Sequence, residues 1–361
     1  MTDRSMSKNR SRWKDNVLLK GDGEVNIKTY IVQPIWEMYG SAMVELVERH
    51  KWCFPNFVPR PKNATQPTPQ KSVDAEIRET DHWGCEWLRV TNWEVGQIIS
   101  HPLADPDAFA DYVPPDPEKL MEHGREKSWS DMAKQILDCH EADKWYTGEW
   151  GLRIFERVHF LMGMENMMIA LMEEDPVVFK IIGMAMQYNL TQINKILENR
   201  GPGLDMLWFS DDLGDQRSLL INPTTWRKYF KSCYRAMFST CRMGGVLAGL
   251  HSDGVNSEIF DDLLEIGLDL INCQVSLIGI EKVAESLRGK ICISADMDRQ
   301  HIIPSGSPAD VKDLVKEVVT KLGSPTGGLE LLIDIYPDVP FENIVAFLEA
   351  AEEHRNYWVG R

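Results

Sequence analysis

From Leu152 onward the chain alternates short apolar runs with longer amphipathic stretches. The segments LDMLWFSDD (204–212), GVLAGLHSD (245–253), LDLINCQVS (268–276), KICISADMD (290–298) and GLELLIDI (328–335) are apolar runs of strand length, most of them ending in polar residues. LRIFERVHF (152–160) reads as a further strand, and KTYIVQPIW (28–36) as an early one that ends at Pro34. Between these runs the apolar positions recur at helical spacing. MENMMIALMEED (164–175) is one such stretch, and the run from Pro176 is another, stopped by Gly201-Pro202. PTTWRKYFKSCYRAMFSTCRMGG (223–245) carries Pro at its start and Gly after its end, the usual asymmetry of helix punctuation. SEIFDDLLEIG, IEKVAESLRG, PADVKDLVKEVVTKLG and PFENIVAFLEAAEEHR complete the series.

The first part of the chain is less regular. Residues 1–25 read as a loose arm and a short helix, and SAMVELVERH (41–50) as a helix. The stretch from Cys53 to Gln70 holds five prolines and reads as a long loop. SVDAEIRET and EWLRVTNW are strand candidates flanking Trp83-Gly84-Cys85, and HPLADPDAFADYVPPDPEKL is a turn-rich connection leading to a helix. Apolar strands alternating with helices predict a parallel sheet. About eight of them predict an α/β fold, a single (β/α)8 TIM-type barrel over 26–361 with the 1–25 segment as an N-terminal extension.

Charge narrows the partners. Asp and Glu outnumber Lys and Arg 55 to 39, a formal net charge of −16, which argues against nucleic acid or an anionic membrane as partner. No apolar run approaches the roughly 20 residues of a membrane span. The polar start MTDRSMSKNRSRWKDN does not read as a secretory signal. Seven scattered cysteines without a CxxC pair read as reduced thiols, so the expected location is cytoplasmic. Twelve Trp and seventeen Met fill core gaps or line an apolar pocket.

The chemistry collects at predicted strand ends, where barrels of this kind place their active sites. These ends carry Asp211 and Asp212; His251, Ser252, Asp253 and Gly254; Asn272, Cys273 and Gln274; Asp296 and Asp298; and Asp334. An earlier strand end offers Asp81 with His82, Trp83 and Cys85. Each has a plainer role: the aspartates as turn or cap residues, Cys273 and Cys292 as buried small hydrophobes. His251 stands out because it closes an apolar strand and Asp follows two residues on. Carboxylates crowded together repel unless a cation, a proton or a basic ligand joins them. Walker A, GxGxxG, GxSxG and HExxH patterns are absent.

Five segments, in order, resemble the uroporphyrinogen decarboxylase and corrinoid methyltransferase superfamily over roughly residues 75–355. They are TDHWGCEW with HPLADPDAFADYVPPDP, WFSDDLGDQRSLLINPTTWRKYF, LHSDGVNSEIFDDLLEIGLDLINCQ, ISADMDRQHIIPSGSPADVKDLVKEVVTKLG and DVPFENIVAFLEAAEEHR. Haem-pathway decarboxylases of this superfamily carry a His shortly before the closing helix, where this chain has Ile333. They also carry an arginine-rich substrate loop near the N-terminus, which is not found here. The zinc thiol-methyltransferase branch uses His-x-Cys and a distant Cys; His251 matches the His, while Asp253 and Ile333 stand in the Cys positions.

The resemblance therefore implies the remaining branch: a methyltransferase that moves a methyl group between a small methylated substrate, a methyl ether or methylamine, and cobalamin on a transient corrinoid protein partner. The alternative is a cofactor-independent decarboxylase or lyase acting on a different carboxylate. His251, Asp253, Asp81 and Asp298 are the expected catalytic residues. Trp83, Trp208, Asp211, Asp212, Gln274, Asp334 and Tyr336 are expected to bind substrate, and His251, Asp253 and Cys273 to hold a metal, with zinc as candidate. An acidic, aromatic mouth suits a small apolar or cationic substrate. A homodimer remains open.

Overall fold

Twelve strands are seen among the described residues, 9–54, 76–90, 96–122 and 125–361, of the computed structural model. In chain order they are β1 (Asn26–Ile31), β2 (Ile77–Thr80), β3 (Glu86–Arg89), β4 (Gln97–Ser100), β5 (Leu120–Glu122), β6 (Arg125–Lys127), β7 (Thr147–Leu152), β8 (Met206–Ser210), β9 (Leu247–His251), β10 (Leu270–Gln274), β11 (Cys292–Asp296) and β12 (Leu329–Ile335). The chain divides into two compact units, one from 1–71 with 269–361 and one from 72–268.

In the first unit β10, β11, β12 and β1 form a parallel ladder, with Gln274 opposite Asp296, Asp296 opposite Leu332 and Tyr30 opposite Asp334. Every residue of β10 and β11 is buried. That is why these strands read as largely apolar runs: a parallel strand buried on both faces needs no polar side. The helix Pro308–Leu322 starts on a capping box between Ser307 and Asp310, with Pro308 in its first turn. Asn16, in the helix Asn9–Val17, ties the start of β12 by donating to the Leu329 carbonyl at 3.0 Å and accepting from the Gly328 N–H at 2.8 Å. The strand expected to end at Pro34 stops at Ile31, because Pro34 sits in the first turn of the helix Gln33–Arg49, where its missing N–H costs nothing.

In the second unit β7, β8 and β9 form a parallel ladder, with Ser210 opposite His251. β2, β3 and β4 form an antiparallel sheet and β5 and β6 a hairpin. Residues 55–70 of the expected loop, with 72–75 and 91–93 of the two early strand candidates, lie outside the described residues. LRIFERVHF is not a strand. The strand is TGEWGL just before it, and Phe155–Met162 is a helix. Seven of the helix's eight residues are buried, so no polar stripe marks its period, and a short apolar run then reads as well for a strand. The strand itself is interrupted by Gly148 and Gly151, with a register shift between Gly148 and Leu152. The core behind this ladder is aromatic: Phe209 meets Phe238 at 5.2 Å and Phe155 meets Phe230 at 5.4 Å between ring centres.

Both units are thus α/β with parallel strands, seven in all; an eighth parallel strand is not seen among the described residues. No helix among the described residues is long and apolar enough to cross a membrane.

The loops after β8 and β9 are pressed together backbone to backbone. Gly214 donates to the Asp253 carbonyl at 3.2 Å and Val255 to the Asp215 carbonyl at 2.8 Å. Gly254 has φ +79°, and a Cβ there would lie 2.2 Å from the Gly214 carbonyl carbon and oxygen. Two glycines are what this approach requires. Gly254→Ala should therefore lower unfolding stability by more than about 1 kcal/mol through left-handed strain plus the clash. A denaturant midpoint equal to that of the unaltered chain would show that these loops need no such contact.

Candidate functional site

His251, the last residue of β9, stands between two carboxylates. Its Nε2 lies 3.4 Å from Asp212 Oδ1 and 3.7 Å from Asp253 Oδ1. Potential ligand atoms of the three residues all fall within 4.8 Å of one another, and this is the one such cluster of His, Cys, Asp and Glu among the described residues. The pairing of β8 with β9 brings Asp212 to His251, and the Gly214–Gly254 contact closes the loops so that Asp253 joins them. Asp212 Oδ1 also accepts the Asp253 N–H at 3.0 Å. Cys273 is not in the cluster; it is buried in β10, in the other unit.

Asp211, beside this cluster, has a different role. It is fully buried, and its carboxylate accepts the N–H groups of Ile154 and Glu156, each at 2.8 Å, and the hydroxyl of Tyr234 at 2.9 Å. The carboxylate thereby caps the helix Phe155–Met162, whose preceding residue Ile154 makes no side-chain cap. Burial raises the Asp211 pKa above the usual carboxylate range, while the three hydrogen bonds and nearby Arg153 pull against it.

The capped helix sets out charged residues that the strand reading concealed. Glu156 is buried, with Arg153 Nη1 3.4 Å from its Oε2. Burial raises its pKa well above the ordinary value; Arg153 opposes, and Asp211 and Asp212 add to the rise. Burial therefore favours the protonated form of Glu156. Arg157 stacks on Trp83, its guanidinium carbon 4.4 Å from the ring centre. Burial, helped by Arg153, holds its pKa down to about 10, so it is still cationic at neutral pH. His159 is neutral there, its pKa pulled down to about 4 by burial and then by His101 and Arg153.

A cleft of about 360 Å³ opens beside these groups. Trp83, Trp150, Trp208 and Tyr188 supply aromatic walls, and the half-buried Arg153 and buried Arg157 supply positive charge. Ser210, which also lines the cleft, is the register partner of His251. Of the cleft's acids, Glu122 is held by Lys127 at 2.8 Å through both oxygens, and Glu149 is exposed. Asp81 works at the edge of this region. It accepts the N–H groups of Trp83 and Cys85 at 2.9 Å and the Trp87 indole N–H at 3.0 Å, and so fixes the turn that presents Trp83.

The remaining expected residues lie in the first unit. Gln274, Asp296 and Asp298 line a recess of about 20 Å³, no more than water-sized. Arg299 sits 3.6 Å from Asp296 and 3.5 Å from Asp334, so these strand-end acids carry their own cation. Asp298 caps a turn, accepting from the N–H groups of Gln300 and His301. The Tyr336 phenol is held above its usual pKa by burial and by Asp334.

Arg153, Glu156, Arg157 and His159 are the groups that sequence reasoning missed. The signal was Arg153 and Arg157 at a four-residue interval, which places both on one side only if the run is helical. Glu156 also makes stability depend on pH. Its folded pKa is raised, so its contribution is complete below the unfolded value of 4.5 and is lost as pH rises from there. Glu156→Gln removes that loss. The variant's melting temperature, relative to the unaltered chain, should therefore improve steadily between pH 5 and pH 8. A trend of opposite sign would mean that Glu156 is ionised and paired with Arg153.

The model of the family described as Uroporphyrinogen decarboxylase (URO-D) matches residues 155–354, more than half of the chain. Among solved structures, a methyltransferase from Methanosarcina mazei is similar in fold, with a TM-score of 0.63 at 15% identity over 96% of this chain and 99% of that one. No curated protein matches the chain. The matched region begins with the helix that Asp211 caps and runs on through the cluster at His251 and the strands β10 to β12. The chain belongs to the uroporphyrinogen decarboxylase (URO-D) family.

Proposed function

We propose that this chain is a methyltransferase, built on a (β/α)8-type barrel, that passes a methyl group from a small methyl ether to cobalamin presented by a transient corrinoid protein partner. The observation that carries the reading is the Asp212–His251–Asp253 cluster, whose His251 is the register partner of Ser210 in the aromatic cleft. It is supported by membership of the URO-D family and by a fold like that of a methyltransferase. Between the two expected substrate types the cleft favours the ether. A methylammonium would face two guanidinium groups, Arg153 and Arg157, with the cleft's half-buried acid Glu122 already paired with Lys127. The cleft's volume, about 360 Å³, falls at the small end of ligand pockets. A macrocycle with eight carboxylates would find neither the room nor the cations.

The cluster fits a divalent metal. Tetrahedral zinc with bonds of about 2.0–2.1 Å spaces its ligands by about 3.3 Å. The 3.4 and 3.7 Å separations at His251 are close to that, and one nitrogen with two carboxylate oxygens is a suitable donor set. Asp212, His251 and Asp253 would hold the ion, whose chemistry is Lewis-acid polarisation of the leaving heteroatom. The chain's own contribution is positional and protic. Trp83 and Trp208 flank the substrate, Arg157 orients it, and Glu156 supplies the proton that a leaving alkoxide requires.

A second reading, decarboxylation without a cofactor, is favoured by one observation: two arginines suited to a carboxylate line the same cleft. The assay that separates the two follows the spectrum of reduced cobalamin under anaerobic conditions with a panel of methyl ethers. Methyl transfer predicts methylcobalamin formation, and His251→Ala should cut it by about 10²–10⁴-fold with little change in melting temperature. Purified protein should carry near-stoichiometric zinc or a similar ion that His251→Ala removes. Carbon dioxide release without any cobalamin change would establish the decarboxylase instead.

A further inference from the structure

Arg157 is an unusual group to bury. Its side chain is 9% exposed, and its Nη1 is buried with no hydrogen-bond partner among the described residues. The nearest carboxylate is that of Asp81, 3.9 Å away and already occupied by two backbone N–H groups and an indole. A guanidinium taken out of water with a donor unused is costly unless an anion completes its shell. The stack on Trp83 fixes the plane of the group without using its N–H donors, and Tyr188 packs edge-on against the same ring at 4.6 Å between centres. Arg153 lines the same cleft, and its Nε is likewise buried without a hydrogen bond.

We infer that this cleft binds a substrate carrying a carboxylate on a flat apolar body, with the Arg157 guanidinium as anchor and Arg153 as a second donor. This deepens the proposed function and rests on the cleft being the substrate site. A planar guanidinium presents paired N–H donors at the spacing of a carboxylate's two oxygens. The aromatic walls at Trp83, Trp150 and Trp208 suit a flat apolar body. Phosphate is the other common arginine ligand, and its usual helper is a set of helix N-terminal amides. Here those of Ile154 and Glu156 are taken by Asp211. A dianion would also meet Glu149, an exposed acid that lines the cleft. The observations therefore favour a monoanion.

The test titrates the full chain with benzoate and phenylacetate, and with benzamide and phenylacetamide as neutral counterparts of the same shape. Tryptophan fluorescence reports occupancy, with calorimetry as the second readout. The acids should bind roughly tenfold to a hundredfold more tightly than the amides. Arg157→Gln should erase the difference, Arg157→Lys should retain part of it, and Arg153→Gln should narrow it. Equal binding of acid and amide, binding of neither, or preference for phenyl phosphate over benzoate would each overturn the inference. The acid–amide comparison uses the unaltered chain, so it stands even if Arg157→Gln fails to fold. It needs neither methyl donor nor cobalamin. A chain that binds acids but leaves cobalamin unchanged would fail the methyltransferase reading alone, and one that methylates cobalamin yet ignores the carboxylate would fail this inference alone.

Discussion

The buried carboxylate of Asp211 is the interaction on which the second unit's chemistry depends. It sits at the end of β8 and accepts from the Ile154 and Glu156 N–H groups and from Tyr234. An anion taken wholly out of water is expensive, and only a full set of short hydrogen bonds recovers that cost. The helix it caps has no other side-chain cap, so the direction in which Arg153, Glu156 and Arg157 leave the backbone is fixed by this one group. Its neighbour Asp212 belongs to the His251 cluster. Two consecutive aspartates thus divide the work, one inward holding the scaffold and one outward offered to chemistry.

The glycines after β8 and β9 impose a second constraint of the same kind. In DDLG and HSDG the acids and the histidine carry the chemistry, but Gly214 and Gly254 decide how closely the two loops approach. Because the backbones touch, Asp253 donates its N–H to Asp212 and places its own carboxylate within 3.7 Å of His251. Three ligand-type groups, from the end of β9 and the loops after β8 and β9, are thereby brought together.

These features were unequally legible in the sequence. The strands β8 to β12 were visible because they are mostly apolar and most end in polar residues, and the site residues His251, Asp212 and Asp253 follow from where those strands stop. The role of Asp211 was not visible: a carboxylate that caps a helix 55 residues earlier in the chain looks, in sequence, like any acid after a strand. The helix Phe155–Met162 was taken for a strand because its burial on nearly all sides removes the periodicity that would identify it. That misreading hid the arginines, since alternation along a strand scatters side chains that a helix gathers. Cys273, a ligand expected from its place near a strand end, is buried in β10 and is not part of the Asp212–His251–Asp253 cluster. A strand-end position does not say which face a side chain takes.

The charge of the cleft shows why net charge is a poor guide to a ligand. A chain at −16, with acids at most of its predicted strand ends, suggests a cationic or neutral substrate. Yet most surface acids are screened by solvent and ions beyond about 8–10 Å, whereas a buried guanidinium such as that of Arg157 acts at close range in a lower dielectric. The acids nearest the site are also already committed. Asp211 holds backbone and tyrosine donors, Asp81 holds a turn, Glu122 holds Lys127, and burial favours the protonated form of Glu156. Arg157 is the charge left incompletely satisfied. What a site selects is set by the donors still unused once the fold has met its own needs, and in this cleft those donors belong to arginine.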